Sequence, residues 1–244
     1  MTSPNLHNHV ALVTGGSRGI GAAVVRSLAG AGAAVVINYR ERADAAQSLV
    51  TAIEEEGGRA IAIGADVARN DAVVSMFDRA AQAFGPVDIL VNNAGIAITR
   101  NIDDLTEADF DRTIEVNLKS VFLCMQAALP AMRRKQWGRI VNISSGAARG
   151  AGSIGPHYNA SKAGIEGLTR GYAARLVKEG ITVNAVAPSL IETDMMKGQQ
   201  ALVARIPVGR FGTSAEVAQA VMSLIGNAYM TGQTIALSGG MAFN

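Results

Sequence analysis

Val10-Ala11-Leu12-Val13-Thr14-Gly15-Gly16-Ser17-Arg18-Gly19-Ile20-Gly21 is the stretch on which the reading of this chain turns. Val10 to Thr14 has the length and apolar content of a buried strand, and Ala22 to Ala29 beyond the glycines is compatible with a helix. Glycines at such a strand-to-helix turn let the backbone approach a pyrophosphate, whose charge then sits at the positive end of the helix. The same turn also serves plain packing of helix on strand, so its meaning depends on what surrounds it.

Outward from it the pattern repeats. Short apolar runs at Ala34 to Asn38, Arg59 to Ala65, Ile89 to Asn92, Ile140 to Ser144, Thr182 to Ala187 and Thr234 to Leu237 alternate with segments of helical length. Strands apolar throughout and separated by helices belong to a parallel sheet covered on both faces, and right-handed crossovers make it doubly wound. No linker, composition break or charge block interrupts the rhythm. The expectation is an α/β Rossmann fold in a single domain, residues 1–244, with a parallel sheet of about seven strands and helices on both faces. A short substrate lid is expected near residues 188–213, where Met195, Met196, Lys197 and Gly198 escape the pattern.

Composition narrows the function. A chain of 244 residues suits one large α/β domain. Its 22 basic and 20 acidic residues are mixed along the chain and only 5% of residues are aromatic, which gives no support to nucleic-acid binding. No apolar run is long enough to span a bilayer, and Met1 to His9 lacks the features of a secretory signal, so no membrane partner and a cytoplasmic location are expected. Cys124, the single cysteine, sits in the apolar run Val121 to Met125 and reads as a buried thiol in a reducing compartment, with no base placed to activate it.

The cofactor is read at the end of the second strand, where an acidic residue binds the adenosine ribose of NAD. Here Asn38-Tyr39-Arg40 stands, with no acid before Glu41. A carboxylate about 4 Å from a 2′-phosphate would repel it by roughly 4 kcal/mol at an effective dielectric near 20. Its absence, together with Arg18 and Arg40, predicts NADP(H). The competing view, that both arginines are ordinary solvated residues, is weakened by their falling on two converging loops.

Tyr158-Asn159-Ala160-Ser161-Lys162 places a phenol and an ammonium four residues apart, on one helical face if Tyr158 to Lys178 is a helix. A phenol with a reference pKa near 10 is a poor proton shuttle at neutral pH, and Lys162 together with a positively charged nicotinamide ring is expected to lower it. Ser145, 13 residues upstream at the end of the fifth strand, would hydrogen-bond the substrate oxygen. Ser144 is the alternative, because strand alternation lets only one of the two face the cleft. Asn92 to Gly95 closes the fourth strand, where ligands gather. Asn117, inside a run from Asp111 to Met132 that otherwise reads as helix, is either a surface residue or one that opens the backbone ladder and holds a water.

Together these residues resemble the short-chain dehydrogenases/reductases over essentially the whole chain: the Thr14 to Gly21 turn, Asp66-Val67, Asn92 to Gly95, Asn117, Ser145, Tyr158, Lys162, and Pro188 with Ile191 and Thr193. The resemblance implies a catalytic set of Asn117, Ser145, Tyr158 and Lys162. It implies a cofactor site of Gly15, Ser17, Arg18, Gly19, Ile20, Gly21, Asn38, Tyr39, Arg40, Asp66, Val67, Asn93, Ala94, Gly95, Tyr158, Lys162, Pro188, Ile191 and Thr193. It further implies that Asp66 binds the adenine, that Ile191 and Thr193 hold the nicotinamide carboxamide, and that Asn117 anchors a water in a relay through Lys162 and the ribose to Tyr158. A homotetramer is implied as well.

Within that family the chain most resembles 3-oxoacyl-(acyl-carrier-protein) reductases, through Pro207 to Gly212, Thr231-Gly232-Gln233 and Gly239-Gly240-Met241. It departs from them at Ser189, where glycine usually follows the proline, and in a shorter segment between Thr193 and Arg210. Gln136 and Glu179 also stand where basic residues would dock an acidic carrier, though Arg133, Arg134, Lys135 and Lys178 are near. The implied reaction is NADPH-dependent reduction of a small or carrier-bound carbonyl compound to a secondary alcohol. An alcohol, sugar or steroid dehydrogenase working oxidatively is the alternative, and a cofactor-sensing protein without turnover is a further one. No metal is expected: His7 and His9 read as a solvated terminus, His157 as an exposed residue at a helix start, and Trp137 as packing or an oligomer contact.

Overall fold

The inner strands of this protein are buried on both sides, which is why they read as continuous apolar runs and not as alternating ones. The computed structural model describes residues 4–193 and 198–242. Its strands are β1 (Val10–Val13), β2 (Ala34–Tyr39), β3 (Arg59–Gly64), β4 (Ile89–Asn92), β5 (Gly138–Ile143), β6 (Ile181–Pro188) and β7 (Thr234–Leu237). They form one seven-stranded sheet in the order β3-β2-β1-β4-β5-β6-β7, with every neighbouring pair parallel.

Helices α1 (Gly19–Gly30), α2 (Ala43–Glu55) and α7 (Ser214–Gly226) cover one face, where Val13, Leu28, Val50 and Val221 share a core. The other face carries α3 (Asn70–Phe84), α5 (Ser120–Lys135) and α6 (Pro156–Leu176), which pack Met76, Met125 and Ile165 against Leu12 and Ile140. Burying each such side chain fully is worth about 1.5–3 kcal/mol. Strand alternation decides which core a residue joins: Ala11 and Val13 of β1 face the first and Val10 and Leu12 the second.

Two differences from the expected elements have clear causes. Strand β5 begins at Gly138, before the expected Ile140; buried Arg139 is tolerated there because its guanidinium donates to the carbonyls of Ile225, Gly138 and Gly180. The expected helix from Asp111 to Met132 is divided into α4 (Glu107–Ile114), a π-helical turn at Glu115–Lys119, and α5. That wide turn is where Asn117 sits.

The chain order reverses between β1 and β4, since β1, β2 and β3 step one way and β4 to β7 the other. The carboxyl ends of β1 and β4 therefore flank a crevice, the place where open α/β sheets bind ligands. The expected lid is anchored at both feet: the Ser189 amide donates to the Leu237 carbonyl, and Ile191 pairs with Gly212. Between those feet lies a 3-10 helix, Gln200–Arg205; Met195, Met196 and Lys197 lie outside the described residues.

Candidate active site

A cleft of about 690 Å³ opens at that crevice. Its near wall is the glycine turn. Gly15 and Gly19 hold φ of 60° and 53°, a left-handed backbone that glycine adopts without strain. Gly21 lies behind the cleft wall: a Cβ there would meet the Gly15 carbonyl oxygen at 2.3 Å, so this glycine is required by packing of α1 on the turn. Helix α1 starts at Gly19 with no side-chain cap and no acidic residue in its first turn, which leaves its positive end open to an anion.

Ser17, Arg18, Ile20, Asn38, Tyr39, Arg40, Asp66, Val67, Asn93, Ala94 and Gly95 all line this cleft, as do Pro188, Ile191 and Thr193 on its far side. Two of these residues have their side-chain amides committed to backbone. Asn38 Oδ1 accepts from the Gly15 amide at 3.2 Å while its Nδ2 donates to the Ile63 and Ala65 carbonyls. Asn93 Nδ2 donates to the Thr14 and Gly15 carbonyls, each at 3.0 Å. Both residues shape the turn and hold it to its neighbouring strands. Asp66 keeps its carboxylate oriented by the Ala68 amide at 3.0 Å, with Arg112 3.7 Å away. Arg40 donates through Nε to Glu41 at 2.9 Å, so the arginine expected to meet a phosphate is held by the next residue, and Glu41 also lines the cleft.

The catalytic candidates converge at the ends of β4 and β5 and on the first turns of α6. Lys162 is 4% exposed, and its Nζ donates to the Ile143 carbonyl at 3.0 Å. Burial pulls its pKa from 10.5 down to about 8. Burial also raises the Tyr158 phenol above its ordinary value, and a hydrogen bond with Ser145 works against that rise. The Lys162 Nζ lies 5.7 Å from the ring centroid and itself carries a desolvation penalty. Asn117 is fully buried behind the cleft: its Oδ1 accepts from the Ile96 amide at 2.8 Å, and its Nδ2 donates to the Ile96 carbonyl and to Ser161 Oγ. The helix does open there, as the second of the two expectations had it.

The choice between the two serines is decided by their partners. Ser144 donates inward to the Lys162 carbonyl at 3.1 Å and is 3% exposed, whereas Ser145 accepts from the Ala147 amide and lines the cleft with Tyr158. Two histidine expectations are overturned. His157 is 1% exposed, with Nε2 2.9 Å from the Ile98 carbonyl. His9 is no solvated terminus, since its ring stacks on Trp137 at 4.1 Å and its Nδ1 lies 3.0 Å from Asp88. Trp137 packs there, with the Arg139 guanidinium 4.5 Å from its ring. Among the described residues no group of three or more His, Cys, Asp or Glu could hold a metal ion, and no helix is long and apolar enough to cross a membrane.

Sequence reasoning missed the Ile143 carbonyl that holds Lys162, and Ser161, which holds Asn117. It also missed Glu166, 4% exposed, which ties Arg149 to α6 at 3.0 Å beside Ser144. A backbone carbonyl has no sequence signal. Glu166, one turn beyond Lys162 on the same face, could have been found from its spacing.

The family description short chain dehydrogenase matches residues 9–202. A 3-oxoacyl-[acyl-carrier-protein] reductase of Staphylococcus epidermidis is 41% identical over 243 residues, which cover 96% of this chain and 99% of that one. The (2S)-[(R)-hydroxy(phenyl)methyl]succinyl-CoA dehydrogenase subunit BbsD of Thauera aromatica is also 41% identical, over 96% of this chain and 97% of its own. The crystal structure of a short chain dehydrogenase from Burkholderia cenocepacia in complex with NADP superposes with a TM-score of 0.90 at 42% identity, covering 97% of this chain and 99% of the other. Sequence and fold agree over nearly the whole length, and the chain belongs to the short chain dehydrogenase family of oxidoreductases, which act between carbonyl and CH–OH groups.

Proposed function

We propose that this enzyme reduces a carbonyl compound to a secondary alcohol with NADPH. The observation that carries the reading is that Tyr158, Ser145 and buried Lys162 share one cleft with the glycine turn. The residues present fit a dinucleotide. The uncapped start of α1 would hold a pyrophosphate, the Asp66 carboxylate a neutral base, and Arg18, with Arg40 exchanging its Glu41 partner, a ribose phosphate. When bound, the reduced nicotinamide supplies the hydride.

The chain's own groups do the rest. Ser145 holds the carbonyl oxygen, and the raised Tyr158 pKa keeps the phenol protonated at neutral pH, ready to donate to that oxygen as charge develops. Lys162, fixed by the Ile143 carbonyl, presents its charge below about pH 8 and so favours the phenolate that results. Asn117, at the opened π-helical turn, positions the Ile96 backbone and Ser161 behind them and would anchor the water of a proton relay. The preference for NADPH is supported by the missing acid at the end of β2 and by the NADP-bound relative.

Small carrier-free substrates such as 3-oxo esters are part of this reading. Arg133, Arg134 and Lys135 end α5 at the amino-terminal edge of the sheet, opposite the cleft of their own chain. Arg133 is bound to Glu179 at 2.7 Å and Lys135 to Asp88. A homotetramer located in the cytoplasm completes the reading. It is supported by the exposed Phe110 and Phe122 of α4 and α5, and sedimentation would test the assembly.

The test is steady-state kcat/KM for a 3-oxo ester and for an acyl-carrier-protein-bound 3-oxoacyl chain, each with NADPH and NADH. Two charge-assisted contacts of about 1.5 kcal/mol each predict a preference for NADPH of roughly a hundredfold. Equal values for the two cofactors would remove that assignment. A large advantage for the carrier-bound chain that collapses with salt would favour a carrier-protein reductase.

A further inference from the structure

The register of β5 and β6 places Ile143 beside Val186, and it continues past the strand ends, where the Ser144 amide bonds the Val186 carbonyl at 2.8 Å. Three residues beyond that pair, Gly146 and Ser189 are neighbours at the cleft mouth. A Cβ on Gly146 would stand 2.4 Å from Ser189 Oγ, so the hydroxyl occupies space that a side chain at 146 would fill. The Ser189 backbone is fixed by its amide bond to the Leu237 carbonyl at 2.9 Å. Its hydroxyl has no hydrogen-bond partner among the described residues, and Ser189 lines the cleft. The residue before Gly146 is Ser145, which lines the cleft with Tyr158. Ser145 and Ser189, beyond the ends of adjacent strands, thus both line the cleft.

We propose that Ser189 is a specificity-determining residue that donates a hydrogen bond to a second oxygen of the substrate. That oxygen belongs to the carbonyl two bonds from the reacting carbon in a 3-oxo ester or thioester. The inference rests on the carbonyl-reductase reading above and sharpens it to 1,3-dicarbonyl compounds. Ser145 takes the oxygen that is reduced, and Ser189 takes the one that is not. A simple ketone offers nothing to the second hydroxyl. Gly146 has a matching role, because it leaves the room in which that hydroxyl is held.

The experiment compares kcat/KM for a 3-oxo ester with kcat/KM for a methyl ketone of the same chain length, in the wild-type enzyme, in S189A and in G146A. Loss of one neutral hydrogen bond predicts that the ester-to-ketone ratio falls by roughly tenfold in S189A. The ratio should fall in G146A too, where the added methyl displaces the hydroxyl without removing it. A ratio unchanged in S189A while the wild type reduces both compounds overturns the role of Ser189 and leaves the reductase reading standing. A wild-type enzyme that reduces neither compound overturns both.

Discussion

The two edges of the sheet carry charged residues in opposite states of compensation. At the amino-terminal edge, Asp88 is 2% exposed and accepts from the Val10 amide, from Lys135 and from His9, while Trp137 stacks between His9 and Arg139. At the carboxyl edge, Lys162 is equally buried, but its ammonium has one neutral carbonyl partner and its pKa is pulled down to about 8. A buried carboxylate with several donors holds its neighbours in place. A buried ammonium with a single neutral acceptor retains free energy that a developing negative charge can release, which is the condition for electrostatic preorganisation. The comparison teaches that charge alone marks neither edge as functional; the degree of compensation does.

Tyr158→Phe is expected to give the largest effect. It removes a proton donor and little volume, so kcat for reduction should fall by about 10²–10⁴-fold while stability stays near that of the wild type. Retained wild-type kcat in a steady-state assay would show that the carboxyl edge does not work through this phenol.

Asp88→Ala tests the other edge. It strips Val10, His9 and Lys135 of their shared acceptor and should cost about 3 kcal/mol in chemical denaturation, a value at the lower end because Lys135 and His9 are partly exposed. The folded enzyme should keep its kcat. Loss of kcat without loss of stability would break the division between the two edges.

The smallest effect is the pH dependence of stability from Lys162. Its proton is lost near pH 8 in the folded chain and near 10.5 in the unfolded one, so between those values the unfolded state binds more protons and stability rises with pH. Tyr158, whose pKa is raised, acts in the opposite direction only above its ordinary value of 10.0. Between pH 8 and 10 the wild type should therefore gain about 2 kcal/mol relative to Lys162→Met, at about 1.4 kcal/mol per unit. Denaturant titrations of both proteins at the two pH values measure it. Parallel stabilities would mean that the ammonium is compensated after all.

The parallel sheet, its crossovers and the gathering of the site at the carboxyl ends of the strands were legible from the chain alone, since apolar runs broken by helices admit few arrangements. Seven runs were placed, and their ends moved by only a few residues, with Gly138 and Arg139 missed because neither is apolar. The π-helical opening at Asn117 was readable as one of two possibilities. The burial of His157 and the docking of His9 were not legible, because their partners, Ile98 and Asp88, lie 59 and 79 residues away.

By itself the sequence determined the parallel doubly wound sheet, the glycine turn between β1 and α1, and the residue types gathered at the strand ends. These follow from local periodicity and from the few backbone conformations that glycine opens. Only the tertiary structure decided that Ser145 and not Ser144 meets Tyr158, and that Asn38 and Asn93 spend their amides on the backbone. It alone showed that the basic run at Arg133 to Lys135 lies at the edge away from the cleft, and that burial raises the phenol while it desolvates the lysine beside it. Each of these depends on desolvation and on hydrogen bonds between residues distant in the chain, energies that arise only once the segments are packed.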